Sequence, residues 1–159
     1  MIYNNIDTDL ISLGKAKKFT EEEEKWITPI YYEGESLDFT LKNKYVKINK
    51  IEENSYGKKF VTIKSKEYSK IIESISEKLG TVSPISSDGS FRAFINNKTK
   101  INEKNLDDVS FNACVSLVFP TIYKDTEKKT LQIYIKDLVV VEIIKDELEI
   151  ELDKLSLAM

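Results

Sequence analysis

The chain of 159 residues has no histidine, one cysteine (Cys114), one arginine (Arg92), three prolines and five glycines. Histidine is the commonest acid–base side chain near neutral pH and the commonest metal ligand. Its absence removes Ser-His and Cys-His nucleophile pairs and every histidine-containing zinc site, and a single cysteine removes all-cysteine sites as well. Catalysis by carboxylates remains open, yet no pair of acids stands apart from those that solvate the surface. The composition therefore points to binding rather than catalysis, with no metal or cofactor. Cys114 forms no internal disulfide and fits a reducing compartment. Within the apolar run 113–119 it reads as a small buried side chain. No apolar stretch nears the roughly 20 residues of a membrane-spanning helix, and the longest, 138–144, is interrupted by Glu142. The opening MIYNNIDTDL has neither a basic start nor an apolar signal core. The expectation is a soluble, intracellular protein.

What is present suits one hydrophobic core. The length is typical of one domain, and 41% hydrophobic with 10% aromatic residues exceeds what a disordered chain carries. Thr20 and Glu23 form a capping-box signature for a short helix that Pro29 must end. Leu37, Phe39 and Leu41 alternate with polar residues and predict a half-buried strand. After a turn at Lys42-Asn43-Lys44, Val46 and Ile48 predict a second strand. A turn at 54–58, containing Gly57, leads to a third at 60–63. Tyr68, Ile71, Ile72, Ile75 and Leu79 share one face of a helix over 66–79, with Ser65 as N-cap and Gly80 as C-cap. The serine-rich stretch 81–90 and the polar connection 96–108 read as binding loops around a short strand at 91–95. Phe111, Ala113, Val115, Leu117 and Phe119 alternate. Beyond Pro120 and the charged stretch 124–129, Leu131, Ile133 and Ile135 alternate in turn, which predicts two long antiparallel strands. Residues 138–144, more continuously apolar, are expected in the sheet interior. The last fifteen residues are acidic, and their leucines fit a helix or a strand equally.

These elements predict a mainly β (α+β) protein: an OB-like small antiparallel barrel over 1–145 with one principal helix, then an acidic segment, 146–159. A β-sandwich with an embedded helix is the rival.

Four constellations bear on function. Residues 42–66 hold eight lysines against Glu52 and Glu53, in a chain whose net charge is −3. Tyr45, Tyr56 and Phe60 are interleaved with them. Cations follow phosphates and exposed rings stack on bases, at about 1–3 kcal/mol per base. Tyr45 and Lys47 fall on the side of their strand opposite Val46 and Ile48. The second constellation is the outward side of the two late strands, with Ser116, Gln132, Tyr134 and Lys136, and their loop, with Tyr123, Lys124, Lys128 and Lys129. The third is Arg92 and Phe94, on one side of a strand with Phe91 on the other; arginine beside aromatics stacks on bases and pairs with phosphate. The fourth is the acidic C-terminal segment, able to compete with phosphate for the lysines or to recruit a basic partner.

The segments ITPIYYEGESLDFTLKNKYVKI with FVTIKSKEYSKIIESISEKL, and ACVSLVFPTIYKDTEKKTLQIYIKDLVVVEI, run strands into a helix and then strand, loop, strand and apolar finish. In this order the chain resembles the OB-fold single-stranded DNA-binding proteins of phages and large DNA viruses. That resemblance implies protection of strands in replication or recombination, replication partners at the acidic tail, and no enzymatic activity. It implies stacking by Tyr45, Phe60, Tyr123 and Tyr134, and phosphate contacts from Lys44, Lys47, Lys58, Lys59 and Arg92; Lys124 of the late loop joins these as a candidate nucleic-acid contact. The chain ends LSLAM where such tails end in acids and an aromatic, and its leucines suit a homodimer contact instead. A protein-interaction or virion-structural module is the competing expectation.

Overall fold

The computed structural model describes residues 2–3, 5–18, 24–41 and 44–144. The Thr20/Glu23 capping box, the Lys42-Asn43 turn and the acidic segment 146–159 lie outside these residues. The first strands are β1 (Ile2–Tyr3), β2 (Ile11–Leu13), β3 (Lys17–Lys18), β4 (Trp26–Tyr32), β5 (Asp38–Thr40), β6 (Val46–Ile48), β7 (Glu52–Glu53) and β8 (Lys59–Lys64). The helix α1 (Lys66–Leu79) precedes β9 (Ser90–Ile95), β10 (Lys100–Ile101), β11 (Ser110–Val118), β12 (Thr121–Lys124), β13 (Lys129–Leu131) and β14 (Tyr134–Ile144).

The helix forms where the apolar spacing and its caps place it. Ser65 Oγ accepts from the Tyr68 N–H, and Gly80 takes a left-handed φ of 68° while its N–H closes on the Ser76 and Glu77 carbonyls. Its inner face buries Tyr68, Ile72 and Ile75. The Tyr68 ring meets Phe39 edge-on at 5.5 Å and Phe91 at 6.4 Å. Its hydroxyl donates to the Val115 carbonyl and accepts from the Leu41 N–H. The helix therefore covers the face of the large sheet that carries Val61, Ile63, Phe91, Ala93, Val115 and Leu117, and all of these join one buried cluster.

That sheet has nine strands, in the order β1-β5-β11-β14-β9-β8-β7, with β6 also beside β11 and β10 beside β14. The second has β13-β12-β4-β2, with β3 beside β4. The protein is thus mainly β with one principal helix. Two features depart from a small antiparallel barrel. The strand order does not close on itself among the described residues, and β1–β5, β10–β14 and β14–β9 are parallel pairs. Alternation in the sequence sets which face a side chain takes, whereas neighbour and direction depend on connections it does not encode.

The two late strands are the expected long hairpin, divided between the sheets. β11 pairs with β14 in the large sheet, and past Phe119-Pro120 β12 pairs with β13 in the small one. Pro29 does not end a helix; it lies within β4. Its flanking partner is interrupted there, β2 pairing with residues 30–32 and β3 with 26–27. A residue lacking an N–H is tolerated at such a gap. Gly14 fills it, its N–H donating to the Pro29 carbonyl at 2.9 Å, where a Cβ would stand 2.9 Å from the Tyr31 ring. Residues 138–144 also depart from expectation. Leu138 is buried, but Val139, Val141 and Ile143 are 43%, 50% and 40% exposed. Beyond β10 the outer edge of β14 is met by the Asn102 side chain, which bonds both N–H and C=O of Val140.

A candidate nucleic-acid interface

Cross-strand register builds the site. On the face of the large sheet away from α1, Asp38, Val118, Tyr134, Phe94, Phe60 and Glu52 stand opposite one another on β5, β11, β14, β9, β8 and β7. Side chains directly opposite across strands share a face, so three rings stand abreast. Phe60 and Phe94 have centroids 5.6 Å apart, and Phe94 and Tyr134 6.4 Å. At one end of the row Asp38 is buried and bonded by the Lys136 ammonium at 2.6 Å. At the other end Arg92, opposite Thr62 in the next row, lays its guanidinium over the Phe60 ring at 4.6 Å.

An open cleft of about 320 Å³ lies over this row, lined by Tyr56, Lys58, Arg92, Phe94, Gln132 and Tyr134 together with Asn54, Pro84, Ser86 and residues 130, 131 and 133. Two turns shape its walls. In the 54–58 turn Asn54 Oδ1 accepts the N–H groups of Tyr56 and Lys58, at 3.0 and 2.9 Å, and Gly57 has a φ of 78°. This leaves Tyr56 86% exposed at the rim. In the 86–90 turn Asp88 Oδ1 accepts from the Ser90 hydroxyl at 2.6 Å and from its N–H at 3.0 Å. Those bonds, the hydroxyl's first, hold the Asp88 carboxyl below the ordinary carboxylate range. Lys58 and Arg92 are the charged residues of the lining, and among the described residues no carboxylate forms an ion pair with either. The cleft thus offers cations and aromatic faces to a ligand that is anionic and flat.

Of the residues singled out by sequence, Tyr56, Lys58, Arg92, Phe94, Gln132 and Tyr134 line this cleft. Arg92 and Phe94 face away from buried Phe91, as alternation requires. Phe60 is different: at 5% exposure beneath Arg92 it supports the floor and is closed to a base. It stands outside the main core cluster, with Arg92 over its ring and Phe94 beside it. Tyr123 lies one strand beyond the cleft, opposite the lining residue Thr130, and Lys124 is paired with Lys129 and Trp26 in the next row. Lys59 lies on the other face from Phe60, opposite Ile95. Lys44, Tyr45 and Lys47 are not brought here. Lys44 pairs with Glu67 at 2.5 Å, Tyr45 is 61% exposed, and Lys47 stands opposite Asn112. Asn112 and Val118 are six residues apart on β11, about 20 Å along a strand. The lysine-rich stretch is therefore divided. Of the loops expected to bind, 81–90 contributes Pro84 and Ser86, while 96–108 contributes nothing to the lining. Asn54 and Thr130 were not legible as site residues, and Ser86 only as part of the loop 81–90; Asn54 read as a turn residue, and its role follows from that turn.

The site is thus a half-open aromatic and cationic cleft on the face of a mixed β-sheet away from α1. The chain belongs to a family of unknown function, DUF5482, whose model matches residues 1–159. It is 64% identical, over 100% of both chains, to a Kluyveromyces lactis protein named "uncharacterized killer plasmid pGKl-2 protein 5". No solved structure matches the chain. Among the described residues no helix is long and apolar enough to cross a membrane, and no cluster of side chains is arranged to hold a metal ion.

Proposed function

We propose that this protein binds single-stranded DNA without catalysing a reaction, and that it protects strands during replication or recombination. One observation carries the reading: Tyr56, Phe94 and Tyr134 converge with Lys58 and Arg92 on one open cleft. Rings supply stacking that any base satisfies, and the two cations displace counterions from phosphates. Tyr123, beyond Thr130 on the small sheet, continues the path for a neighbouring nucleotide. The relative's name places it on a plasmid, and a DNA element exposes single strands whenever it is copied. The OB-like part of the resemblance is kept within this proposal for β5 to β9, where strands, one helix and a further strand follow in the expected order. Contact with replication proteins through the acidic segment 146–159 belongs to the same proposal.

Titration of labelled oligo(dT) at two salt concentrations tests it. Saturable binding at low salt that weakens as salt rises is expected. Arg92→Ala should lower the slope of log K against log salt by about 0.7, the value of one single-strand phosphate contact. Phe94→Ala should weaken binding by about 1–3 kcal/mol with the slope unchanged. Absence of saturable binding at low salt overturns the reading.

A second reading, a protein-interaction module, is favoured by the exposed Val139, Val141 and Ile143 on the end of β14. Deleting residues 146–159 separates the two: assembly is lost under the second, and oligo(dT) binding is kept or strengthened under the first.

A further inference from the structure

We propose that the cleft selects the base it holds, favouring thymine or uracil over adenine, because the side chains whose polarity is fixed there, Asn54, Lys58 and Arg92, present donors alone. This rests on the single-strand reading above and adds a chemical preference at one nucleotide position. Asn54 Oδ1 is consumed by two backbone N–H groups, those of Tyr56 and Lys58. A backbone N–H bonds only to an acceptor, so the amide oxygen is fixed inward and the Nδ2 amino group is the end left for a ligand. The Asn54 amide nitrogen has no protein partner among the described residues. Gln132 differs: its side-chain amide meets the Thr121 hydroxyl, a group that donates or accepts, so this amide can present either end to a ligand. Lys58 and Arg92 are donors by nature. Of the polar side chains lining the cleft, three, Asn54, Lys58 and Arg92, are therefore donor-only, while Gln132 and the hydroxyls of Tyr56, Ser86, Thr130 and Tyr134 can serve either way.

A ligand that answers this pattern is rich in acceptors. Phosphate qualifies, and it is common to every nucleotide. Among bases, thymine and uracil carry two carbonyl oxygens flanking one N–H. Adenine's pairing edge places an amino donor where the cleft already has donors, and a donor facing a donor leaves both without a partner. The volume, about 320 Å³, is at the small end of ligand pockets, so the preference acts on one base while the rest of the strand is held without regard to sequence.

The experiment uses strands of abasic residues with one central base, which removes the self-stacking of oligo(dA). The central base is thymine, adenine, or difluorotoluene, which has thymine's shape without its strong acceptors. Thymine should bind about fivefold more tightly than either, the effect of roughly one net hydrogen bond. Asn54→Asp keeps both turn bonds and replaces the amino group with an acceptor. It adds a negative charge that weakens every strand alike, so the thymine-to-adenine ratio within the variant is the readout, and it should fall towards one. If difluorotoluene binds like thymine, or the ratio in the natural protein is already one while all strands bind, the selectivity is overturned and the binding function stands. If no strand binds, oligo(dT) included, the underlying function fails instead.

Discussion

Phe91 and Phe94 are three residues apart on β9, and their rings lie on opposite faces of the sheet. Phe91 is 1% exposed, joins the main core and meets the Tyr68 ring of α1. Phe94 is half-buried, stands between Phe60 and Tyr134, and lines an open cleft. The inner ring is required by the fold, because the helix and the sheet must bury their apolar faces against each other. Among the described residues no helix covers the outer row, and aromatic surface left open there is a liability for solubility. Under the proposed function the half-buried rings of Phe94 and Tyr134, beside Lys58 and Arg92, which have no carboxylate partner among the described residues, serve a ligand rather than the fold. The contrast between the two faces thus separates what maintains the structure from what the structure presents.

The strongest way to break that contrast is at Phe91. Phe91→Ala removes a fully buried ring and should cost about 3–5 kcal/mol by urea denaturation. Measured on the folded fraction, its oligo(dT) affinity should equal that of the natural protein. Should it lose affinity to the degree Phe94→Ala does, the two faces are not independent and the division fails.

A smaller effect is expected at Tyr68, which tightens the inner face. Its hydroxyl bonds the Val115 carbonyl and the Leu41 N–H, so Tyr68→Phe should cost about 1–2 kcal/mol. Burial raises the phenol above its ordinary value of 10.0. The unfolded chain therefore releases this proton first as pH rises, and the folded chain holds it. Stability from this group is complete below pH 10.0 and is lost as pH climbs from there through the folded value. The natural protein should lose urea resistance above that pH more steeply than Tyr68→Phe, with equal slopes contradicting the burial argument.

The inner face was legible in the sequence almost residue by residue. The five alternating positions from Phe111 to Phe119 are all buried, and α1 begins and ends at its caps. Both depend on local periodicity, which a sequence carries openly. The outer face was legible in part: alternation placed Arg92 with Phe94, and Tyr134 outward. What joins them is the β14–β9 pairing, between strands 40 residues apart by the Tyr134↔Phe94 register, and no local pattern fixes such a contact. The same reason misled the reading of Phe60. A ring in a basic stretch looks exposed until the strand that brings Arg92 over it is known. The gap beside Pro29 likewise depends on where β2 stops and β3 starts.

The smallest effect is expected at Lys44, and it tests whether the charge-rich stretch or the cleft forms the interface. Lys44 and Glu67 are paired at 2.5 Å with side chains 56% and 51% exposed, a surface pair that contributes about 0–1 kcal/mol. Glu67 lies in the first turn of α1, on the side of the sheet opposite the aromatic row. A lysine already matched to a carboxylate there has little to give a phosphate in the cleft. Lys44→Ala should therefore leave oligo(dT) affinity at low salt within about twofold and the salt slope unchanged, against the loss of about 0.7 expected from Arg92→Ala. Were Lys44→Ala to lower the slope by the same amount, the strand would run along β6 past Tyr45 and Lys47. The positive stretch from 42 to 66 would then be the interface itself, and the cleft one stop along it.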